Sequence, residues 1–159
     1  MGQALSRSLA LPATLDRIVQ TARELLQADF ARLSLWDEAA HCLTVAAQAG
    51  GETLPPHKTI HLGEGVMGTV AATRRPLIVN DYQAFPHRFP EMTTLTAVID
   101  VPLLLEERLI GTLSVGVIRP GRTFTADDLQ FLELLAQGVS ARTGLSITVE
   151  GSTEGRFSP

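Results

Sequence analysis

The chain holds 159 residues, 45% of them hydrophobic, with a formal net charge of −4. That size fits one domain with its own core and no need of disulfide or metal staples, and the acidic balance argues against a general affinity for nucleic acid. A lone cysteine, Cys42, excludes an internal disulfide and a Cys-based zinc set, and fits a reducing cytoplasm. Met1 to Ala10 has no long apolar stretch and does not read as a signal peptide, and no run approaches the roughly 18 apolar residues of a membrane span.

Residues 1–10 read as a flexible N-terminus. From there Leu11, Leu15, Ile18, Val19, Ala22, Leu25 and Leu26 recur at spacings of three and four, with Pro12 suited to a first turn: an amphipathic helix over 11–27. The period then changes to two. Ala31, Leu33 and Leu35 alternate with Arg32, Ser34 and Trp36, and after Asp37 to Ala40 the alternation resumes at Leu43, Val45, Ala47 and Ala49, which predicts a hairpin. Gly50-Gly51 and Pro55-Pro56 open a loop before a short strand over 59–62. His57 and His61 form HxxxH, but in extended chain four residues span ~13 Å, too far for two imidazoles to share one ion. No metal site is expected there.

Next comes Gly63-Glu64-Gly65-Val66-Met67-Gly68, which has the GxGxxG spacing of a dinucleotide loop. That chemistry needs a buried strand before the loop, a crossover helix after it and a carboxylate about 20 residues on. Here the strand alternates as if half wetted, Arg74-Arg75-Pro76 ends the helix early, and Asp81 comes too soon, so the glycines are expected to shape a tight turn into a short helix. Leu77 to Val79 is strand-like. Asn80 to Thr94, with Tyr82, Phe85, His87, Arg88 and Phe89, is irregular yet aromatic, as functional loops often are. Ala97 to Leu105 and Leu109 to Ile118 predict a second hairpin, with Gly111 and Gly116 marking close approaches to the backbone. Thr125 and Asp128 make a capping-box start, Phe124 is placed to staple onto Leu129, and a closing helix runs through Val139. Gly144 is expected to stop it, which would favour a self-contained protein over a sensor whose helix continues into a downstream enzyme. Leu145, Ile147 and Val149 alternate briefly, and 146–159 reads as a C-terminal extension.

The order helix, hairpin, short elements, hairpin, helix predicts an α+β domain with a central antiparallel sheet covered by terminal helices. In that order, "GEGVMGTVAATRRPLIVND" at 63–81, "VPLLLEERLIGTLSVG" at 101–116 and "FTADDLQFLELLAQGVSAR" at 124–142 resemble the GAF domain of bacterial small-molecule sensing and signalling, over residues 11–145. The resemblance implies a PAS- or profilin-like sheet of five to six strands with short helices over a ligand cavity. It also implies a role in signal transduction, with dimerisation through the terminal helices, here 11–27 and 125–142. Ligand-free dimerisation is the alternative.

The chain departs from several classes within that family. Ile118-Arg119 stands where cyclic-nucleotide binders carry Asn-Lys, Asn80 to Pro90 lacks the features of bilin attachment, and Cys42 alone lacks the second thiol of the methionine-sulfoxide-reducing members. No nucleophile–base pair or paired-carboxylate spacing is visible, so the expectation is a cytoplasmic binding module and not an enzyme, with no identifiable cofactor. Asp100 is the residue of most interest, because a carboxylate inside Val98-Ile99-Asp100-Val101-Pro102 needs a partner: Arg88 or another basic side chain by salt bridge, or a ligand. The expected pocket residues are Asp100, Val98, Met67, Tyr82, Phe85, His87 and Arg88. Their ligand should be small, largely apolar or aromatic, and able to give Asp100 hydrogen bonds or positive charge.

Overall fold

The computed structural model describes residues 2–51, 54–55 and 58–155, with side-chain surroundings for 12–51, 54–55 and 58–141; His57 lies outside the described residues. Helix α1 (Gly2–Leu25) leads into the hairpin β1 (Phe30–Asp37) and β2 (Cys42–Gly50). Strand β3 (Thr59–Ile60), helix α2 (Gly65–Thr73) and strand β4 (Leu77–Val79) follow, then a 3-10 turn at Tyr82–Ala84. The hairpin β5 (Ala97–Leu105) and β6 (Arg108–Val117) precedes helix α3 (Ala126–Gly155). The six strands form one sheet in the order β3-β2-β1-β6-β5-β4, and its neighbouring strands are antiparallel. Among the described residues there is no βαβ crossover, so the sheet does not present a dinucleotide site of the doubly wound kind.

Both faces of the sheet are covered. On one, Leu15, Ile18, Val19 and Ala22 of α1 and Leu132, Ala136 and Val139 of α3 pack on Leu33, Ile99, Val101, Leu113 and Val115. On the other, Val66, Met67 and Val70 of α2, with Tyr82, Phe89, Met92 and Leu95, pack on Phe30, Leu43, Val45 and Val98. Leu43, Val45, Ala47 and Ala49 do not share one face as their spacing suggests. A register shift between Leu33 and Ser34, opposite Ala46, turns Ala47 and Ala49 toward α1 while Leu43 and Val45 face α2. A bulge adds one residue to one strand and so exchanges inside for outside beyond it.

The closing helix begins as expected. Thr125 N–H donates to Asp128 Oδ2 at 2.9 Å and Asp128 N–H donates to Thr125 Oγ1 at 3.3 Å, a reciprocal cap, while Phe124 and Leu129 join the same core. It does not end as expected: helix runs through Gly144 and through Leu145, Ile147 and Val149 to Gly155. A glycine inside a helix costs only about 1 kcal/mol, so without a left-handed cap it weakens a helix but need not stop it. Likewise α1 starts at Gly2, which puts Pro12 inside the helix and not at its first turn. There the proline removes one backbone donor and leaves the carbonyl four residues earlier without it.

The segment between β4 and β5 is tied down at both ends. Asn80 Nδ2 donates to Phe124 O at 3.0 Å and Phe124 N–H donates to Asn80 Oδ1 at 2.8 Å. Thr96 Oγ1 donates to Val117 O at 3.0 Å and Arg119 O at 3.1 Å. Arg119 and Arg122 reach the last carbonyls after α1: Arg119 Nη2 to Gln27 O and Arg122 Nη2 to Leu26 O, both 2.8 Å. Asn80→Ala removes a paired contact on partly buried backbone and is expected to cost about 1–3 kcal/mol, read as a lower urea midpoint.

Candidate functional site

Three register partners form a row across the α2-facing side of the sheet. Arg32 of β1 lies opposite Ser114 of β6, and Ser114 lies opposite Asp100 of β5. All three are buried. In the next row Ser34 and Thr112 share a hydrogen bond of 2.6 Å. Ser114 Oγ donates to Asp100 Oδ2, whereas Asp100 Oδ1 is buried with no hydrogen-bond partner. Arg32 Nε donates to Gln48 Oε1 at 3.0 Å, and its guanidinium lies 4.7 Å over the Phe30 ring. Gln48 is held in turn by the backbone of Leu54, through 2.8 Å bonds to its carbonyl and from its amide.

Above this row Val66 and Met67 from α2, and Tyr82, Phe89, Met92 and Leu95 from the 80–96 segment, complete a roof over Phe30, Arg32, Val98 and Ser114. The space beneath it is about 20 Å³, enough for a water and too small for a metabolite unless the roof shifts. The roof is fastened at defined points. Phe89 N–H donates to Tyr82 Oη at 2.8 Å, Gly65 N–H to His87 O at 2.7 Å, and Gln83 Nε2 to the carbonyls of Met92 and Leu95 at 3.0 and 2.9 Å. Burial raises the Tyr82 hydroxyl above its ordinary pKa, against the pull of its bond from Phe89 and of the Arg32 charge.

Desolvation dominates at Asp100. Burial pushes its carboxyl up to about 8, although the Ser114 hydrogen bond and the Arg32 charge both pull the other way. At neutral pH the carboxyl therefore keeps its proton unless something cationic comes to the unpartnered oxygen.

The glycines at 63–68 have a steric explanation. Gly63 and Gly65 hold left-handed φ of 87° and 62°, and a Cβ on Gly65 would sit 2.4 Å from the Phe89 ring. A Cβ on Gly68 would lie 2.3 Å from His61 O. The amides of Gly63, Glu64 and Gly65 donate to Gly68, His61 and His87 carbonyls, so they are spent inside the turn and not offered to a phosphate.

Of the residues expected at the pocket, Met67, Tyr82 and Val98 line it, and Asp100 stands one hydrogen bond behind its Ser114 wall. Phe85 stacks on Tyr82 with ring centroids 6.3 Å apart but does not line the cavity. His87 and Arg88 are exposed, and Arg88 Nη1 donates to Phe85 O at 3.3 Å instead of meeting Asp100. Both are placed outward by the short Phe85–Pro90 stretch, whose buried member is Phe89. Sequence reasoning missed Arg32 and Ser114 at the polar end, and Phe30, Val66, Phe89, Met92 and Leu95 in the wall. Arg32 shares its parity with Phe30, a signal that was present in the sequence.

Among the described residues no three His, Cys, Asp or Glu side chains gather as a metal set, and no helix is long and apolar enough to cross a membrane. His61 bonds Glu64 at 3.0 Å on the surface. Cys42 is buried opposite Asp37 and is not part of the cavity wall.

Solved structures share this fold. The GAF domain of an Acinetobacter phosphoenolpyruvate-protein phosphotransferase is 21% identical, with TM-score 0.79 over 89% of this chain and 86% of that one. The second GAF domain of DevS from Mycobacterium smegmatis is 21% identical, with TM-score 0.69 over 92% and 99%. The free methionine-R-sulfoxide reductase from Neisseria meningitidis, solved in complex with its substrate, is 24% identical, with TM-score 0.76 over 87% and 80%. This last likeness corrects the expectation that the chain is not an enzyme: the same fold carries a catalyst, so the fold does not support a non-enzymatic assignment. The GAF domain family model matches residues 8–141, more than four fifths of the sequence and all six strands; this chain belongs to the GAF domain family.

Proposed function

We propose that this chain is a regulatory, small-molecule-binding GAF domain acting in cytoplasmic signal transduction as a homodimer. One observation carries the reading: Asp100, fully buried, leaves one carboxyl oxygen without a hydrogen-bond partner directly behind Ser114, which lines the cavity under α2 and the 80–96 segment. Leaving a buried carboxyl oxygen unpaired costs stability, and a bound donor would recover it. Binding requires the 80–96 roof to move, and that segment is hydrogen-bonded to the residues that join β6 to α3. A ligand with different affinity for the closed and open roofs would thus bias how the terminal helices sit.

Support for the dimer comes from α3. Phe131 and Leu134 are 42% and 62% exposed, and Leu25 at the end of α1 is 55% exposed, leaving apolar surface on the two helices that neither the sheet nor each other covers. Light scattering at micromolar concentration is expected to give twice the mass of one chain, and Phe131→Glu with Leu134→Glu to return it to one. A strict monomer for the unaltered chain overturns the dimer.

The ligand reading is tested by thermal melting against a broad panel of soluble metabolites, since anything that binds only the folded state raises the transition. At least one small hydrogen-bond donor or amine is expected to raise Tm, with the shift lost in Asp100→Asn. If no compound moves the transition while the dimer persists, a ligand-free dimerisation module is the better account.

A further inference from the structure

A second cleft lies where β1 ends and β6 begins, past the last turn of α2. Trp36, Glu38, Arg74, Arg108, Leu109 and Ile110 line its roughly 420 Å³, and it shares no lining residue with the cavity under α2. We propose that this cleft is a separate binding site for a small planar aromatic anion, its ring against the Trp36 indole and its carboxylate or phosphate on the Arg74 guanidinium.

The indole is held in place. Trp36 Nε1 donates to Glu38 Oε2 at 2.6 Å, and the His41 ring packs on the indole at 5.0 Å between centroids, 70° from parallel. Leu109 and Ile110 are buried, whereas Trp36 is half-buried, so its ring leaves apolar surface beside an open volume of the size that small ligands fill. Glu38, the acid of the lining, is taken up by the indole N–H.

Arg74 supplies the polar end. It is exposed, and its Nη1 donates to Glu107 O at 2.9 Å, which orients the guanidinium across the β5–β6 turn. An arginine carries five N–H donors in a planar fork, and a carboxylate or phosphate takes two of them side by side. Arg108 has an interaction of its own, so the anion's seat is Arg74. The backbone adds a reason. Arg74 caps α2 in the left-handed conformation, φ 59° and ψ 27°, with its N–H on Val70 O at 2.7 Å. Glycine takes that cap without steric cost, so an arginine kept there against backbone strain points to a task for its side chain. His41, against the indole, is likewise left-handed at φ 58°.

The test uses the full chain, whose single tryptophan is Trp36, so indole fluorescence and the indole N–H resonance both read this cleft directly. Benzoate and phenyl phosphate are titrated beside benzamide, benzylamine and cyclohexanecarboxylate. At least one aromatic anion is expected to bind about tenfold more tightly than all three, the worth of one charge-assisted hydrogen bond. The tighter of benzoate and phenyl phosphate names the anion. Arg74→Gly should abolish the preference with Tm unchanged or raised, and Arg74→Gln, which removes the charge but keeps a side chain, should abolish it equally. A role confined to clamping the turn predicts the reverse, a lower Tm in Arg74→Gly with the preference intact, and overturns the proposal. Benzamide or benzylamine matching the anions would put the affinity on the ring or on Glu38, and cyclohexanecarboxylate matching them would remove the stacking; each overturns it, as does silence of both Trp36 signals. Asp100→Asn, which probes the other cavity, should leave these titrations unchanged; their loss in that variant would place the compounds under α2 and overturn the second site.

Discussion

Between about pH 4 and pH 8 the folded chain is expected to lose stability as the pH rises, and Asp100→Asn to remove most of that loss. The sign follows from the direction of the shift. The Asp100 carboxyl is raised from 3.8 to about 8 in the folded protein, first by burial, so across that window the native state holds a proton that the unfolded chain has released. Raising the pH therefore pulls toward the unfolded state, by about 1.4 kcal/mol per pH unit at full effect. Below the unfolded value both states are protonated, above the folded value both are ionised, and the slope vanishes. This is opposite to a salt-bridged carboxylate, whose contribution disappears in acid. Asparagine keeps the shape and has no proton to lose, so its stability should be flat over the same range and should exceed that of the parent at pH 8 by a few kcal/mol. Urea titrations of both proteins at pH 5, 6, 7 and 8 decide it. A difference that stays constant across the series would mean that Asp100 is ionised in the folded state and held so by Arg32. Tyr82, also raised, titrates above this window and does not interfere.

If the cavity takes a ligand as proposed, the pH effect gives a reason to expect a cationic one. A bound ammonium would supply the charge that burial withholds from Asp100, and the carboxyl would release its proton on binding. Binding would therefore tighten as the pH approaches the carboxyl's own value, and heats of binding measured in buffers of different ionisation enthalpy would differ by the proton released.

Much of this architecture was legible because it rests on local rules. The capping residues Thr125 and Asp128, the Asp37 turn, and the close approaches at Gly111 and Gly116 follow from short-range sterics and hydrogen bonding; a Cβ on Gly111 would lie 1.9 Å from Ser34 O, and one on Gly116 would lie 2.3 Å from the Phe30 ring. Asp100 was legible because a carboxylate flanked by Val98, Ile99 and Val101 has to be explained. Other features depended on partners that a one-dimensional reading does not supply. Arg32 alternates with Ala31 and Leu33, which reads as a solvent-facing residue when one face of a sheet is assumed wet. Here α2 and the 80–96 segment cover that second face, and the alternation separates two cores instead of core from water. The bulge opposite Ala46 is invisible for the same reason, since it shifts β2 by one residue without any glycine or proline to mark it. His87 and Arg88, read as pocket residues from their place in an aromatic loop, line a separate open recess beside Gly63 and Gly65, while Phe89 between the two recesses turns into the cavity under α2.

Gly68→Ala is expected to be among the most damaging single-methyl changes in the chain, because of what it would strike. Gly68 lies in α2 with ordinary helical backbone, so alanine there would on propensity alone be worth up to about 1 kcal/mol of added stability. The new methyl would stand 2.3 Å from His61 O and 3.1 Å from Gly63 N, both of them backbone atoms. A flexible side chain could swing away; this backbone cannot, because Gly63 N–H donates to Gly68 O at 3.0 Å and Glu64 N–H to His61 O at 3.1 Å, closing the turn on itself. Relief would have to push α2 off the turn, and α2 carries Val66 and Met67 into the cavity wall. Overpacking of this kind costs about 1–3 kcal/mol where neighbours can relax, and the upper end or beyond is expected where they are main chain. The same displacement would open the pocket roof, so Gly68→Ala should lower both the urea midpoint and the Tm gain from any compound that stabilises the parent. An unchanged midpoint would show that the turn yields to a methyl group, and the GxGxxG spacing would then need a cause other than close packing.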